Sequence, residues 1–254
     1  MATAATTNAL SQGVAKESRT QLEEPLLEAE VWAAANAEFE QTKAQLYGVL
    51  EGARAAFSAE DGIVRALAGA EQIDEVAESV LDVLCEAFEF DAATFWMLDP
   101  ENGKLFAIAH RQSPTRRGRF IEKEIRSLQM TLNEGVAGRV FVERKVFLSD
   151  DALSIAHPAL TSLLEADGLR CVCAFTVVGH EGAPLGVIEM ARSEPLSPDH
   201  AIASAVRVIG ERIGAFIDFN QLRWRYFSLV EDLKRGSSAS PEPGADVIPL
   251  DRAA

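Results

Sequence analysis

Apolar residues near the start of the chain follow a sevenfold spacing. Two such rows lie three positions apart: Trp32, Phe39, Leu46 and Ala53, and then Ala35, Thr42, Val49 and Ala56. This is the a/d spacing of paired helices, and it predicts an N-terminal dimerisation helix over residues 22–68. Pro25 suits the first turn of that helix, which is expected to run to about Phe57, before Asp61-Gly62. The alternative is an amphipathic helix that covers its own domain.

A second long helix is predicted near the other end of the chain. Ser197-Pro198-Asp199 offers a cap and a first-turn proline, and Arg235-Gly236 marks the helix end. Apolar residues follow at helical spacing: Ile202, Val206, Ile209, Ile213, Phe216 and Phe227. Asn220 lies in this stripe, where a buried amide would fix the register of paired helices. We favour the other interpretation, in which the stripe rotates and Asn220 faces water.

The residues between these helices alternate between short strand and helix patterns. Helical patterns cover residues 73–88, 135–143 and 159–166, and strand patterns cover 94–98, 105–110, 146–148, 171–178 and 185–190. Residues 111–131 are polar and basic and then amphipathic, which favours a mobile helix. The first two strands flank a turn at Asp99 to Gly103, and the last two flank Gly179 to Ala183. Hairpins at both ends predict an α+β fold, with an antiparallel sheet, helices on one face and loops on the other.

Composition and charge limit the classes of binding partner that the sequence predicts. The 254 residues carry a formal net charge of −15 and show no dominant basic face, so nucleic acid is not an expected partner. No run of 18 apolar residues is present, so no membrane span is expected. The N-terminus lacks the apolar region of a secretory signal, and a cytoplasmic location is the default. Residues 1–21 and 236–254 are expected to be disordered, with residues 69–235 as the domain between.

Four segments of this domain, in order along the chain, resemble the GAF domain family, which is related to PAS domains. They are Phe90 to Asp99, Leu132 to Val140, Lys145 to Asp150 and Ala183 to Ile188, within a match that covers residues 71–220. Gly135 and Gly138 would permit a tight entry into a helix, and Gly186 a close backbone approach in a strand.

The resemblance implies a sensory or regulatory role, often in a dimer whose flanking helices pair. It does not name a ligand, because members bind cyclic nucleotides, tetrapyrroles, small metabolites or nothing known. None of the three cysteines precedes a histidine, so covalent bilin attachment is not expected. The pattern of the cyclic-nucleotide-binding members is also missing. The proline usual late in the first strand of the final hairpin is absent from residues 174–178, which leaves the pocket shape open.

These points predict a non-catalytic, homodimeric signalling module that couples a small ligand or a protein partner to its terminal helices. A protein-interaction scaffold without a ligand is one alternative. The other is a GAF-type free-methionine sulfoxide reductase, which resembles this chain in fold and uses reactive cysteines. In that enzyme one cysteine lies in the glycine turn, where this chain has Ala137. Cys85 falls on an apolar helix face and is expected to belong to the core.

The candidate ligand-binding residues are His110, Arg139, Asp150, His157, Cys171 and Cys173. Structural or solvent-facing duty is the competing interpretation for each of them. Cys171 and Cys173 share one face of a strand, where burial is expected in place of a strained disulfide. Residues 149–167 form the expected lid over the pocket. The four histidines show no paired ligand spacing, so no metal site is expected, and no cofactor can be named.

Overall fold

The computed structural model describes residues 3–112, 121–195 and 200–237. The chain divides into two compact units, Met1–Arg54 and Ala55–Ala254. The first unit contains the greater part of the first helix. The second unit contains the end of that helix and all the remaining elements. The predicted helix cap at residues 197–199, and all of the expected disordered tail after residue 237, lie outside the described residues.

Helix α1 runs from Thr3 to Leu67, so it begins well before the predicted start near Pro25 and continues past the expected end near Phe57. It begins well before Pro25 because residues 3–24 are rich in Ala, Leu, Glu and Gln, which all favour a helix. It also continues through Gly62. A Cβ atom at that position would lie 2.6 Å from a methyl carbon of Val83. Gly62 therefore permits close packing of α1 on the next helix and does not end α1.

In its described residues, the second unit continues with five more α-helices and six strands. Its helices are α2 (Ala77–Phe88), α3 (Ile121–Ser127), α4 (Gly135–Glu143), α5 (Pro158–Ala166) and α6 (His200–Ser237). Its strands are β1 (Ala92–Asp99), β2 (Lys104–Gln112), β3 (Gln129–Thr131), β4 (Phe147–Ser149), β5 (Cys171–Val178) and β6 (Pro184–Arg192). The described chain thus has the helices and strands that the pattern predicts, together with the short strand β3.

The six strands form one antiparallel sheet in the order β3-β2-β1-β6-β5-β4. Strand β1 lies at the centre and pairs with both β2 and β6, so that Thr94 faces His110 on one side and Glu189 on the other. The register of the β1–β2 pair shifts between Phe95 and Trp96. This register determines which side chains share each face of the sheet.

Each face of the sheet carries its own core. Phe95, Phe175 and Ile188 pack on one face with α2, α6 and the last turns of α1, and we call this the helix-side core. Trp96, Val172 and Val187 pack on the other face with α3, α4 and α5, and we call this the cavity-side core. The α+β class and the antiparallel sheet are confirmed. The face predicted to carry loops is covered by three short helices as well.

Helix α6 packs unusually close to strand β5. Cβ atoms built on Gly210 and Gly214 would collide with the carbonyl oxygens of Thr176 and Val178. Because these two glycines lack side chains, the helix backbone rests directly against the strand. Further along α6, Asn220 is only 5% exposed. The favoured expectation that Asn220 faces water is therefore wrong, because the buried stripe continues one turn beyond Ile217 before α6 leaves the sheet.

None of the helices in the described ranges is long and apolar enough to cross a membrane.

Candidate functional site

A cavity of about 40 Å³ lies on the cavity side of the sheet, beneath α3 and α5. Its floor is formed by β1, β2 and β6, and its walls come mainly from apolar side chains. The lining residues are Ala92, Ala93, Thr94, His110, Gln112, Ile125, Leu160, Leu164, Leu169, Glu189 and Ala191. We call this space the sheet cavity. Its volume is sufficient for a few water molecules, so a larger occupant requires the covering helices to move outward.

Three polar side chains form a row across the floor of the sheet cavity. Thr94 on β1 is the central member, and its backbone partners are His110 on β2 and Glu189 on β6. The Thr94 hydroxyl lies 2.8 Å from Nδ1 of His110, a buried hydrogen bond. Both Thr94 and His110 are less than a tenth exposed. Buried polar groups are usually retained where they are partnered, and this row together with Gln112 supplies the polar side chains of a space whose other lining residues are apolar.

Glu189 gives the row its electrostatic character. Burial raises the pKa of its carboxyl from 4.5 to about 7, while a hydrogen bond from Trp96 acts in the opposite direction. Nε1 of Trp96 donates that hydrogen bond to Oε2 of Glu189 over 3.1 Å. Near neutral pH this carboxyl is therefore close to the midpoint of its titration. It can accept a proton, or it can become fully charged beside a cationic ligand.

Of the six residues predicted to bind a ligand, His110 lines the sheet cavity. Arg139 lies on the surface of α4, 3.7 Å from Glu143, with its guanidinium 5.9 Å from the ring centre of Phe147. It is nearly half exposed, and its contacts are those of a surface side chain.

His157 joins the beginnings of two helices. Its Nε2 lies 3.1 Å from Oε1 of Glu134, directly before α4, and its Nδ1 accepts a hydrogen bond from the backbone N–H of Ala159 in α5. Gly135, with φ of +60°, leaves just enough room for the His157 backbone and Cβ. The tight helix entry predicted at Gly135 is thus present, and His157 has a structural position beside it.

The cysteine pair lies away from the sheet cavity. Cys173 packs in the helix-side core, and Cys171, two residues earlier in β5, points to the same face. The thiol of Cys171 donates a hydrogen bond to Asp150 over 3.3 Å. Burial raises the pKa of the Cys173 thiol to about 12. Asp150, Cys171 and Cys173 therefore form a separate group on the opposite face of the sheet, with all three cysteines unbridged.

The predicted lid does cover the sheet cavity in part. Within residues 149–167, helix α5 contributes Leu160 and Leu164 to the cavity wall. Hydrogen bonds anchor the two ends of this segment, from Ala152 N–H to the Arg170 carbonyl over 2.6 Å and from the Gln112 amide to the Asp167 carboxylate. Among the described residues, no group of three or more His, Cys, Asp or Glu side chains is placed to hold a metal ion.

Thr94 and Glu189 are the site residues that sequence reasoning missed. Glu189 did carry a signal, because it is the one charged residue within the apolar run from Leu185 to Ala191. A single carboxylate at that point of a central strand indicates a special environment. Thr94 carried no such signal, since threonine is common in strands.

This topology is an α+β fold, in which one antiparallel sheet carries α3, α4 and α5 on one face and α2, α6 and the last turns of α1 on the other. The family model for the GAF domain matches residues 70–218, which is more than half of the chain. The chain therefore belongs to the GAF domain family. No curated protein matches this chain.

Several solved structures share this fold. The GAF domain of a phosphoenolpyruvate-protein phosphotransferase from Coxiella burnetii superposes with a TM-score of 0.55 at 18% identity, covering 67% of this chain and 98% of that one. The corresponding domain from Acinetobacter gives 0.53 at 13% identity, with coverages of 67% and 97%. Free methionine-R-sulfoxide reductase from Neisseria meningitidis, in complex with its substrate, gives 0.51 at 15% identity, with coverages of 66% and 93%. At these identities the likeness shows the fold alone.

Proposed function

We propose that this protein is a homodimeric, non-catalytic sensory module of intracellular signalling, in which occupation of the sheet cavity repositions the terminal helices. The observation that carries the proposal is the row of Thr94, His110 and Glu189 in a space whose other lining side chains, apart from Gln112, are apolar. Small-molecule sites usually combine an apolar lining with a few converging polar groups. The family supports a sensory role in general terms.

The chemistry of the row favours one class of ligand. A compact apolar compound with an amine or another strong hydrogen-bond donor would place that donor at Glu189, whose raised pKa marks the cost of an unpaired charge there. Its apolar body would contact Ile125, Leu160 and Leu164. A compound larger than the cavity would push α3 or α5 outward, so that binding would change the conformation of the domain.

The sheet offers a route from the cavity to α6. Thr94 and Glu189 line the cavity, while their chain neighbours Phe95 and Ile188 pack in the helix-side core together with Ile209 and Ile213 of α6. Interiors are close-packed, so a shift of β1 or β6 must be accommodated on both faces. Because the backbone of α6 contacts β5 directly at Gly210 and Gly214, a displacement of β5 would also displace α6.

Each unit supports the dimer by itself. In the second unit, α6 continues beyond the sheet with four apolar side chains that are each more than half exposed: Phe219, Leu222, Tyr226 and Leu229. Their spacing of three, four and three residues is that of a coiled-coil seam, and we call them the α6 seam. In the first unit, the predicted row of Trp32, Phe39 and Leu46 is also exposed. Both rows would be covered by a second copy.

The two alternatives make different demands. A scaffold without a ligand needs only the α6 seam and a partner protein. A methionine sulfoxide reductase needs a reactive thiolate. The raised pKa values of about 12 for the thiols of Cys85 and Cys173 weigh against such chemistry at these two positions. The unbridged cysteines agree with the cytoplasmic location that the sequence predicts.

The test is a thermal-shift screen of small primary and secondary amines with apolar substituents, on the wild type, Glu189→Gln and Glu143→Gln. Glu143 is an exposed carboxylate on α4 and serves as the matched control. We expect at least one compound to raise the Tm of the wild type and of E143Q by several degrees, and to lose most of that effect in E189Q. Equal shifts in all three proteins, or no shift in any, would overturn the assignment of Glu189, and the absence of any shift would favour the scaffold.

A further inference from the structure

A second concave surface lies on the helix side of the molecule and is separate from the sheet cavity. It is a groove of about 550 Å³ between α6 and the segment that connects α1 to α2. Its lining residues are Glu71, Gln72, Ile73, Asp74, Met97, Ile217, Asn220, Gln221, Trp224 and Arg225. We call it the α6 groove. All of these residues belong to the second unit.

The α6 groove contains a buried polar group without a partner. The side-chain nitrogen of Asn220 is inaccessible to water and makes no hydrogen bond within the described residues. Leaving a buried amide N–H unpaired destabilises the folded protein. A rotation of the Asn220 side chain would bring this amide to a hydrogen-bond acceptor in the groove, such as a carbonyl oxygen.

The other residues that line the groove indicate which chemical groups an occupant would carry. Ile73, Met97 and Ile217 are apolar, and the indole of Trp224 is more than half exposed. On the rim, Asp74 and Arg225 have no ion-pair partner in the part of the chain that the structure describes. The groove thus suits a short apolar peptide that offers backbone carbonyl groups and carries a charge of each sign.

The groove remains accessible in the proposed dimer. At 100° per residue along α6, the groove residues Ile217, Asn220 and Trp224 lie on the opposite side of the helix from the α6 seam. Pairing of two seams therefore leaves the α6 groove uncovered. The occupant must come from elsewhere in the chain or from another molecule.

We propose that the α6 groove binds the segment Asp246 to Arg252 of the same chain. This segment, Asp-Val-Ile-Pro-Leu-Asp-Arg, is the apolar run of the polar sequence that follows α6. Val247, Ile248 and Leu250 match the apolar walls, and Pro249 reduces the entropy that binding must overcome. Asp251 and Arg252 supply the two charges that complement Arg225 and Asp74.

The chain is long enough to make this contact. Ser237, the end of α6, lies seventeen positions after Asn220, about 26 Å at the helical rise of 1.5 Å per residue. Residues 238–247 can span about 33 Å when extended. The segment can therefore return along α6 to Asn220 without disturbing the helix. Such binding would cover Trp224 and brace α6 against the body of the domain.

The first experiment is disulfide trapping in the full chain. Asp74→Cys combined with Ile248→Cys is oxidised with glutathione disulfide, and cross-linked peptides are identified by mass spectrometry. The matched control combines Ile248→Cys with Glu101→Cys, an exposed position in the β1–β2 turn. We expect an intrachain 74–248 bond to form at least tenfold faster than the 101–248 bond. Equal rates, or a 74–248 bond that forms only between chains, would overturn the proposal.

The second experiment follows Trp224 directly by fluorine NMR of protein labelled with 5-fluorotryptophan, its resonance assigned with Trp224→Phe. Ile248→Asp should move the Trp224 resonance to the position of a solvent-exposed tryptophan. Ser238→Asp adds the same charge outside the segment and should leave the resonance where it is in the wild type. If the wild-type resonance already has the exposed position, and neither variant moves it, the groove is empty in solution and the proposal fails.

Discussion

Trp96 and Glu189, on the neighbouring central strands β1 and β6, are joined by a hydrogen bond of 3.1 Å from the indole N–H to the carboxylate. Trp96 is fully buried in the cavity-side core, whereas Glu189 lines the sheet cavity. This contact fixes the carboxylate at the edge of the core, where water is scarce. The contact therefore determines the position of the Glu189 carboxylate. Burial raises the pKa of this group, and the hydrogen bond from Trp96 offsets part of that rise.

The first prediction concerns pH. In the unfolded chain Glu189 titrates near 4.5, and in the folded chain its pKa is about 7. A raised folded-state pKa means that folding retains a proton, so stability is lost as the pH rises from 4.5 to 7 and is level above that. The Glu189→Gln variant should not lose this stability, because glutamine does not titrate. We expect the loss in the wild type between pH 5 and pH 7.5 to exceed that in E189Q by on the order of 2 kcal/mol. Urea unfolding at the two pH values measures it.

The Glu143→Gln variant is the control for this measurement, because Glu143 is exposed and shares no contact with Glu189. It should reproduce the wild-type pH profile. Identical profiles for the wild type and E189Q would show that Glu189 is ionised in the folded protein across the whole range.

The second prediction concerns the contact between α6 and β5. Gly214→Ala places a methyl group against the Val178 carbonyl, so the helix must move away from the strand. We expect a loss of about 2 kcal/mol or more in the free energy of unfolding. Gly48→Ala is the control, since no atom lies within 4 Å of a Cβ built there, and it should gain up to about 1 kcal/mol in helix propensity. Equal stabilities of the two variants would refute the close contact.

The third prediction concerns the polar row. Thr94→Val preserves the shape of the side chain but removes the hydroxyl that contacts His110. The expected cost is about 1–2 kcal/mol, because the buried imidazole loses a partner. Thr42→Val removes an exposed hydroxyl on α1 that bonds to the Glu38 carbonyl and should change stability by less than about 0.5 kcal/mol. The histidine ¹⁵N spectrum should change in T94V and not in T42V, and unchanged signals in T94V would contradict the contact.

The fourth prediction concerns the α6 seam. Leu222→Glu puts a charge in the middle of the seam and should convert the dimer to monomer in sedimentation velocity at tens of micromolar. Ser228→Glu adds the same charge to an exposed site outside the seam and should leave the dimer intact. A wild-type protein that sediments as a monomer, or an L222E dimer as stable as the wild type, would contradict the pairing of these helices.

The fifth prediction concerns the cysteines. Because Cys173 is buried and its thiol has a pKa of about 12, iodoacetamide should label it only on unfolding. A cysteine introduced at exposed Ser228 should be labelled in the folded protein at least a hundred times faster. Comparable rates at the two positions would revive the reductase alternative, as would turnover of free methionine sulfoxide with thioredoxin.

Much of the fold follows from the sequence pattern. The bounds of α4 and β5 agree with the prediction residue for residue, because glycine and charged residues bracket α4 and an unbroken apolar run forms β5. Strand β3 could not be found in this way, since Gln129 to Thr131 is too short to show alternation. The role of Gly62 was also hidden, because a glycine that ends a helix and one that permits close packing look alike in sequence.

The candidate site was less accessible to sequence reasoning. His110 was predicted, but its partners Thr94 and Glu189 depend on strand register across β2, β1 and β6, which a single sequence does not specify. Cys171 and Cys173 are also predicted as pocket residues, and they share one face of β5. That face is the one covered by α6, and only the sheet order shows it.

The central claim is that occupation of the sheet cavity moves α6 within a dimer. Its most direct test is the distance between spin labels on Ser228→Cys of the two protomers, measured by pulsed electron resonance with and without an amine selected by its Glu189-dependent Tm shift. We predict a single well-defined distance in the free dimer that changes by several ångströms when the amine saturates the site. An unchanged distance at saturation, or no distance between protomers at all, would contradict the account.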